Sequence, residues 1–450
     1  MMTQTHDEQY TKMVESPIPR LIIRLAIPTI ISMLMTAFYN TADTYFVSQL
    51  GTSATGAVGV CFSLMAIIQA VGFTFGMGCA SWVSRSLGEQ NQNKANLYAS
   101  TGFFVGVFVG FIILAIGLLK LDTFIKLLGA TETILPYARS YGQYIFLGAP
   151  IMVGTFVMNN IMRSQGKAFF SMIALLIGGL SNIVLDPIFI FTLNLKTAGA
   201  AIATVISQCV SFSILLYFFL SKKTTVRLSF ANVSKSIKDV YDIVRIGFPS
   251  LCRQGLASIA MICLNISAAK YGDAALAGMS VVSRIVMLAA SAMIGLGQGF
   301  TPVCGYNFGA KQFARVKESY WFTVKTGGIF LTVFGVILFV FAPQCIRFFA
   351  SDALVVATGI RALRFQAISL PFHALCITTN FLMQSTGKAL AASFLSSTRQ
   401  GIFFIPLILL LSQCFGLLGV EMAQSISDVL SALVSIPFFI GFVKKYPSNL

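Results

Sequence analysis

Residues 76–94 read GMGCASWVSRSLGEQNQNK and residues 297–315 read GQGFTPVCGYNFGAKQFAR, so Gly76, Gly78, Gly88 and Lys94 return as Gly297, Gly299, Gly309 and Arg315 at an offset of 221. The same register extends in both directions. Upstream, Pro28 pairs with Pro249 and Gly51 with Gly272; downstream, Pro150 pairs with Pro371, Asn159 with Asn380, Ser164 with Ser385, and Gly166-Lys167 with Gly387-Lys388. A unit repeated once across nearly a whole chain marks a duplicated architecture. In membrane chains, paired repeats are a common build of transporters.

Composition makes this a membrane chain. Of its 450 residues, 56% are apolar and 10% charged, and the mean hydropathy is +0.82, against roughly 25% charged in ordinary soluble domains. Apolar runs of about 20 residues, the length that crosses a bilayer core as helix, recur throughout. Six fall in the first half, at 25–48, 56–82, 98–119, 138–160, 168–192 and 198–220. Six more follow at 246–269, 275–303, 319–342, 363–383, 390–413 and 420–442. The runs are too long, and too little alternating, for barrel strands. The expected fold is therefore all-α and integral to the membrane, with twelve transmembrane helices in two six-helix lobes related by a pseudo-two-fold along the membrane normal. Its expected divisions are a cytoplasmic segment 1–20, an amino lobe 21–220, a linker 221–245, a carboxyl lobe 246–442 and a tail 443–450.

The net charge of +16 invites a nucleic-acid reading, but the placement of the charges excludes it. With the amino terminus inside, twenty Lys and Arg fall in inner connections, Lys222 among them, and eight in outer ones. That is the positive-inside bias, which predicts both termini in the cytoplasm. The first twenty residues, with His6, Asp7, Glu8, Glu15 and the Pro17-Ile18-Pro19 break, lack the basic start and cleavage site of a secretory signal. Nine cysteines are scattered through apolar runs without CxxC or metal spacing, and read as small core residues. In the linker, Ile237, Val240, Tyr241 and Val244 recur at helical spacing, which suits either a short surface helix or a plain tether.

Four acids are placed at membrane depth: Asp43, Asp186, Glu421 and Asp428. An ionised Asp at a helix centre costs about 2.5–3.5 kcal/mol on insertion scales, so each requires a partner, a proton or a cation. Tyr39 and Asn40 lie one turn before Asp43, and Asn182 one turn before Asp186, on the same helix faces. Pro187 removes the amide that the Ile183 carbonyl would accept. Neither helix carries a mid-span Lys or Arg, so helix capping is the weaker reading for this pair. Glu421 and Asp428 share one face of the last helix, where an interfacial or structural role competes. An oxygen cluster of this kind suits a proton or Na⁺ alike.

Pro28, Tyr39-Asn40-x-x-Asp43, the paired Gly51 and Gly272 turns, the repeated glycine segments and Asn182-x-x-x-Asp186-Pro187 together resemble the MATE (multidrug and toxic compound extrusion) family of bacterial type over residues 15 to 442. The resemblance implies alternating access, with export of organic cations or other drugs against inward H⁺ or Na⁺, in the cytoplasmic membrane of a bacterium. It implies a cation site of Asp43, Asn182, Asp186 and Thr204. Some members hold coupling acids on the seventh and tenth helices instead; residues 250–268 and 363–383 here contain none, which assigns coupling to the first lobe.

A substrate cavity between the lobes is expected to use adaptable Met and aromatic contacts from Met33, Met35, Phe38, Tyr39, Asn40, Met152, Phe156 and Met158, with Arg284 and His373 as polar lining. Arg284 is expected to pair with Glu421 or Asp428. Pro28 is a hinge candidate, and Pro28 and Pro249 also fit simple helix-start prolines. No cofactor beyond the coupling ion is expected, no metal beyond a possible Na⁺, no nucleic acid, and no oligomer. A lipid-linked oligosaccharide flippase of the same superfamily is the alternative function. An enzyme is disfavoured, since HExxH, GxSxG, GxxxxGK[ST] and GxGxxG are missing from credible contexts.

Overall fold

A computed structural model describes residues 2–221, 223–350 and 352–447. Lys222 and the last three residues of the tail lie outside the described residues. Every regular element described is helical, and twelve helices are long and apolar enough to cross a membrane. They are Ile18–Ser48, Ser53–Gly88, Gln92–Leu119, Leu135–Ser164, Ala168–Thr192, Lys196–Leu220, Ile237–Ala269, Asp273–Gly309, Phe313–Val340, Ala353–Ser385, Ala389–Phe415 and Leu417–Lys445. Each overlaps the sequence-expected run of the same rank.

The differences are instructive. The seventh span starts at Ile237, capped by the Ser236 hydroxyl on the Lys238 amide, so the expected short surface helix is the first two turns of a continuous 33-residue helix. Pro28 and Pro249 sit inside their helices, which corrects the helix-start reading: Pro17 occupies the cap position and Pro19 the first turn of the first span. Short helices Leu121–Leu127 and Ala342–Phe349 occupy equivalent places in the two repeats. Residues Met2–Glu15 form a further helix. The nine cysteines are free; Cys414 is exposed and Cys209, Cys252, Cys263 and Cys345 are partly so, which corrects the reading of all nine as core.

Turn chemistry repeats with the sequence. Gly51 (φ +107°) and Gly272 (φ +95°) precede the second and eighth spans in a conformation that L side chains rarely adopt. Where the lobes meet, the second span lies against the seventh and eighth, and the first against the eighth. Small residues permit that approach, as expected where helices pack without a hydrophobic drive from lipid. A side chain at Gly78 or Gly247 would strike the carbonyl of Ile243 or Thr74, and one at Gly295 or Gly299 the backbone of Ile30 or Ala26.

Hydrogen bonds between the lobes gather at one end. Thr29 Oγ1 donates to the Gly295 carbonyl (2.6 Å) and Ser81 Oγ to that of Gln384 (2.8 Å). Buried Arg163 donates to Gln298 across the interface and to Asn159 and Ser171 within its own lobe. The amino-terminal helix covers this end. Gln9 Nε2 donates to the Gln165 carbonyl of the first lobe (2.9 Å), while Asn307 Nδ2 and Arg315 Nη2 of the second donate to Met13 (3.2 Å) and Ser16 (2.5 Å). The helix's own Met13 and Val14 are buried against the lobes. Among the described residues no hydrogen bond joins the lobes in the opposite half. There the stretches 31–46 of the first span and 251–266 of the seventh are largely partly or fully exposed.

Candidate cation site

The fifth span organises the amino-lobe cluster. Gly178 and Gly179 leave no bulk on its two flanks, so Ser211 of the sixth span packs on one side and Met35 and Tyr39 of the first on the other. One turn further on, the same approach collects Asp43, Asn182, Asp186 and Thr204, which are 4%, 3%, 0% and 4% exposed. Asn182 Nδ2 donates to Asp186 Oδ1 at 3.1 Å and reaches Thr204 Oγ1 at 3.5 Å. Asp43 lies within electrostatic range of both Asp186 and Tyr39. Pro187 ends the α-helical ladder, and the chain continues as a π-helical turn over Ile188–Thr192. Such wide turns are frequent at functional sites.

The electrostatics are unbalanced. Among the described residues no Lys, Arg or His forms an ion pair with Asp43 or Asp186. Asp43 Oδ1 and Asp186 Oδ2 are buried with no protein donor. An unsatisfied buried polar atom costs about 1–3 kcal/mol, and more when charged. Two carboxylates in one dry site therefore call for a cation between them or a shared proton. Tyr141 of the fourth span, fully buried, turns its hydroxyl toward Thr204 and Met65. Sequence reading passed it over; the one available signal was a phenol in an apolar run, which needs a polar partner when buried.

A family model described as MatE matches residues 28–188 and 249–410, one copy per half. The chain belongs to the MatE family. Its curated relatives include Multidrug export protein MepA of Staphylococcus saprophyticus, 28% identical over 96% of this chain and 95% of its own. MepA of Staphylococcus aureus strain MRSA252 is 26% identical over the same shares. A MATE crystallised in complex with MaL6 superposes with a TM-score of 0.93 at 28% identity, covering 98% of this chain and 99% of that one. An outward-facing MATE transporter of the MOP superfamily matches with the same score and coverage at 27% identity.

Elsewhere in this MatE chain, several expectations need correction. Met152 and Met158 are fully enclosed in the amino-lobe core, so they line no cavity in this arrangement. Phe156 is partly buried against Phe73, with ring centroids 5.0 Å apart. Met33, Met35, Tyr39 and Asn40 are partly exposed, and Phe38 and Arg284 are exposed. Arg284 pairs with neither acid of the last span. Glu421, 0% exposed, is held by Arg361 at 2.9 and 3.1 Å, and Asp428 by Arg399 at 2.7 Å. His373 is fully buried and bonded to Asp428, not to a cavity.

Proposed function

We propose that the chain is a secondary active multidrug transporter, exporting organic cations and other drugs by alternating access in exchange for inward H⁺ or Na⁺. The observation that carries this reading is the pair of buried carboxylates, Asp43 and Asp186, each with an oxygen lacking any protein donor. Charge that the fold leaves uncompensated is charge that a mobile cation neutralises.

The geometry supports the following mechanism. The lobes are bonded together at the end that carries the amino-terminal helix and the linker, so this arrangement is closed toward the cytoplasm and open outward. A proton or Na⁺ entering from outside is bound by the carboxylates of Asp43 and Asp186 and the oxygens of Asn182 and Thr204. Its arrival changes the hydrogen bonds that join the first, fifth and sixth spans. Pro28 leaves the Arg24 carbonyl without an intrahelical amide, which makes the first span pliable between this site and the lobe interface. Drug binds in the open cleft beside Met33, Met35, Phe38, Tyr39 and Asn40, and ion and drug weaken each other's affinity by the same factor. The setting is the cytoplasmic membrane of a bacterium, with both termini inside and a single chain as the working unit.

Efflux of a cationic dye from proteoliposomes, under Na⁺ and pH gradients imposed separately, tests this. Wild type should respond to one gradient, and Asp43→Asn and Asp186→Asn should each lose that response while still binding dye. Full-rate, gradient-driven efflux by Asp43→Asn sinks the proposal.

A further inference from the structure

The carboxyl lobe contains a second buried acid cluster built from different residues. Asp428 of the twelfth span, 1% exposed, accepts from Arg399 Nε (2.7 Å) and Gln424 Nε2 (2.9 Å) on Oδ1. Its Oδ2 faces His373 Nε2 (2.7 Å) and Ser369 Oγ (3.3 Å) of the tenth span. Arg399 Nη2 also lies 3.2 Å from His373 Nε2. By the 221 offset these positions correspond to Ser207, Met152 and Gly178, so the first lobe has no counterpart.

The three-way contact fixes the tautomer. A carboxylate oxygen is an acceptor only, so the imidazole nitrogen 2.7 Å from it must carry hydrogen. The guanidinium then meets that N–H donor to donor, and the pair is held together only by the acid between them. Neutral His373 thus keeps its free lone pair on Nδ1, and Nδ1 is buried with no partner. The eleventh span passes this point as a π-helical turn, Thr398–Phe404, whose Arg399 carbonyl accepts from Ser427 Oγ at 2.5 Å. The fifth span, its repeat equivalent, widens in the same way directly after Asp186. In both lobes the π turn therefore adjoins a buried carboxylate.

We propose that His373, Asp428 and Arg399 form a second proton-binding site, in which a proton on His373 and the Arg399 guanidinium are alternative partners of Asp428. Hydronium gives its proton to Nδ1 and leaves as water. The imidazolium then carries the charge that Asp428 needs, and repels Arg399. Of the three, only the Arg399 side chain reaches the protein surface, at 22% exposed against 1% for each of the others, so it is the group free to leave. The charged and titratable groups facing His373 are Arg399, Asp428 and, on its own helix, the Cys376 thiol, which contacts the Asp428 carbonyl at 3.8 Å. The eighth and ninth spans bring none among the described residues. Binding of the proton thereby releases an arginine on a π-helical segment of the second lobe, a device separate from the Asp43 and Asp186 site.

The chain has two histidines, His6 and His373, so protein labelled with ¹⁵N in its histidine rings gives two pairs of ring signals, and His373→Gln assigns them. At alkaline pH His373 should be neutral with hydrogen on Nε2. Arg399→Gln should bind the His373 proton at least tenfold more tightly than wild type, and Asp428→Asn at least tenfold more weakly, each in protein that elutes as wild type does. Arg399→Lys, which keeps the charge, should fall near wild type. A hydrogen on Nδ1, or coincident titrations in wild type and Arg399→Gln, overturns the proposal. The readout needs no transport, so it stands apart from failure of the Asp43 and Asp186 reading. In transport, the pH profile of dye efflux should change shape in His373→Gln; an unchanged profile denies the site any part in the cycle.

Discussion

The carbonyl oxygen of Tyr306 occupies the place where a side chain on Gly88 would begin, and 221 residues on the relation recurs, with the Arg85 carbonyl in the place of a Gly309 Cβ. The second and eighth spans therefore cross at backbone contact, about a local two-fold axis.

Because this crossing exists only while the lobes are joined at that end, bulk at Gly88 or Gly309 should oppose the joined state more than it opposes folding. Gly88→Val and Gly309→Val should each reach the membrane yet lower dye efflux at least tenfold. The two should have similar effects, because the contacts are related by symmetry. Efflux assays paired with alkylation of cysteines introduced in the outer half of the cleft report both effects. Wild-type efflux from either variant would show that the contact opens without cost.

The amino-terminal helix and Ser16 just after it tie both lobes at the same end, through Gln9 to Gln165 and through Asn307 and Arg315 to Met13 and Ser16. Two of these bonds join neutral groups only and are worth about 1 kcal/mol each, and that from the charged Arg315 about 1.5–3. Removing residues 2–15 should shift the balance of states toward inward opening by severalfold, seen as faster labelling of a cysteine at Ser81 from the inner side. Arg315→Gln should give a smaller shift in the same direction. Equal labelling with and without the helix would reduce it to a passive cap.

Much of this arrangement was legible in the chain, and the boundary is physical. Twelve spans followed from hydrophobic length alone, since a bilayer leaves helices no other way to satisfy their backbones. The Asp43, Asn182 and Asp186 faces followed from helical spacing, together with the missing basic residues. What failed was partner choice across helices: Arg361 for Glu421, and Arg399 with His373 for Asp428, lie between 29 and 60 positions apart. Spacing within one helix carries no information on which neighbour meets it. The enclosure of Met152 and Met158 was hidden for the same reason, because the apolar faces of a buried span and a cavity wall have one composition. The amino-terminal helix escaped notice because its apolar face is short, and it packs against a surface that the rest of the chain must first build.

Glu421 is fully buried while its partner Arg361 is 55% exposed at the side chain, so one member of the pair depends on the other far more than the reverse. Arg361→Ala strands a buried carboxylate. The loss from breaking a buried pair is about 3–5 kcal/mol, and the exposure of the arginine reduces it to roughly 2. Arg361→Ala/Glu421→Gln should recover most of the stability, which neither single change predicts by addition. Thermal midpoints of the four proteins in detergent measure the coupling; simple additivity would mean the contact contributes nothing.

Lys388, in the turn between the tenth and eleventh spans, has its pKa lowered to about 8, first by burial and then by Lys445. The rings of Phe442 and Tyr446, 4.6 and 4.9 Å from its Nζ, favour the charged form but do not offset the lost hydration. Its repeat equivalent Lys167 is lowered too, by burial and then by Lys12, and Lys12 by burial and then by Arg24. The sign is common to all three lysines. Below about pH 8 the folded protein holds Lys388 protonated at a cost, whereas the unfolded chain keeps its proton up to the ordinary lysine value of 10.5. Between those limits the unfolded state binds more protons, so stability rises with pH. The thermal midpoint of detergent-solubilised protein should therefore climb from pH 8 toward pH 10, and Lys388→Met should lift the value at pH 7 and flatten the climb. A midpoint that falls across that window in wild type, or a slope that Lys388→Met leaves untouched, would place the cost elsewhere.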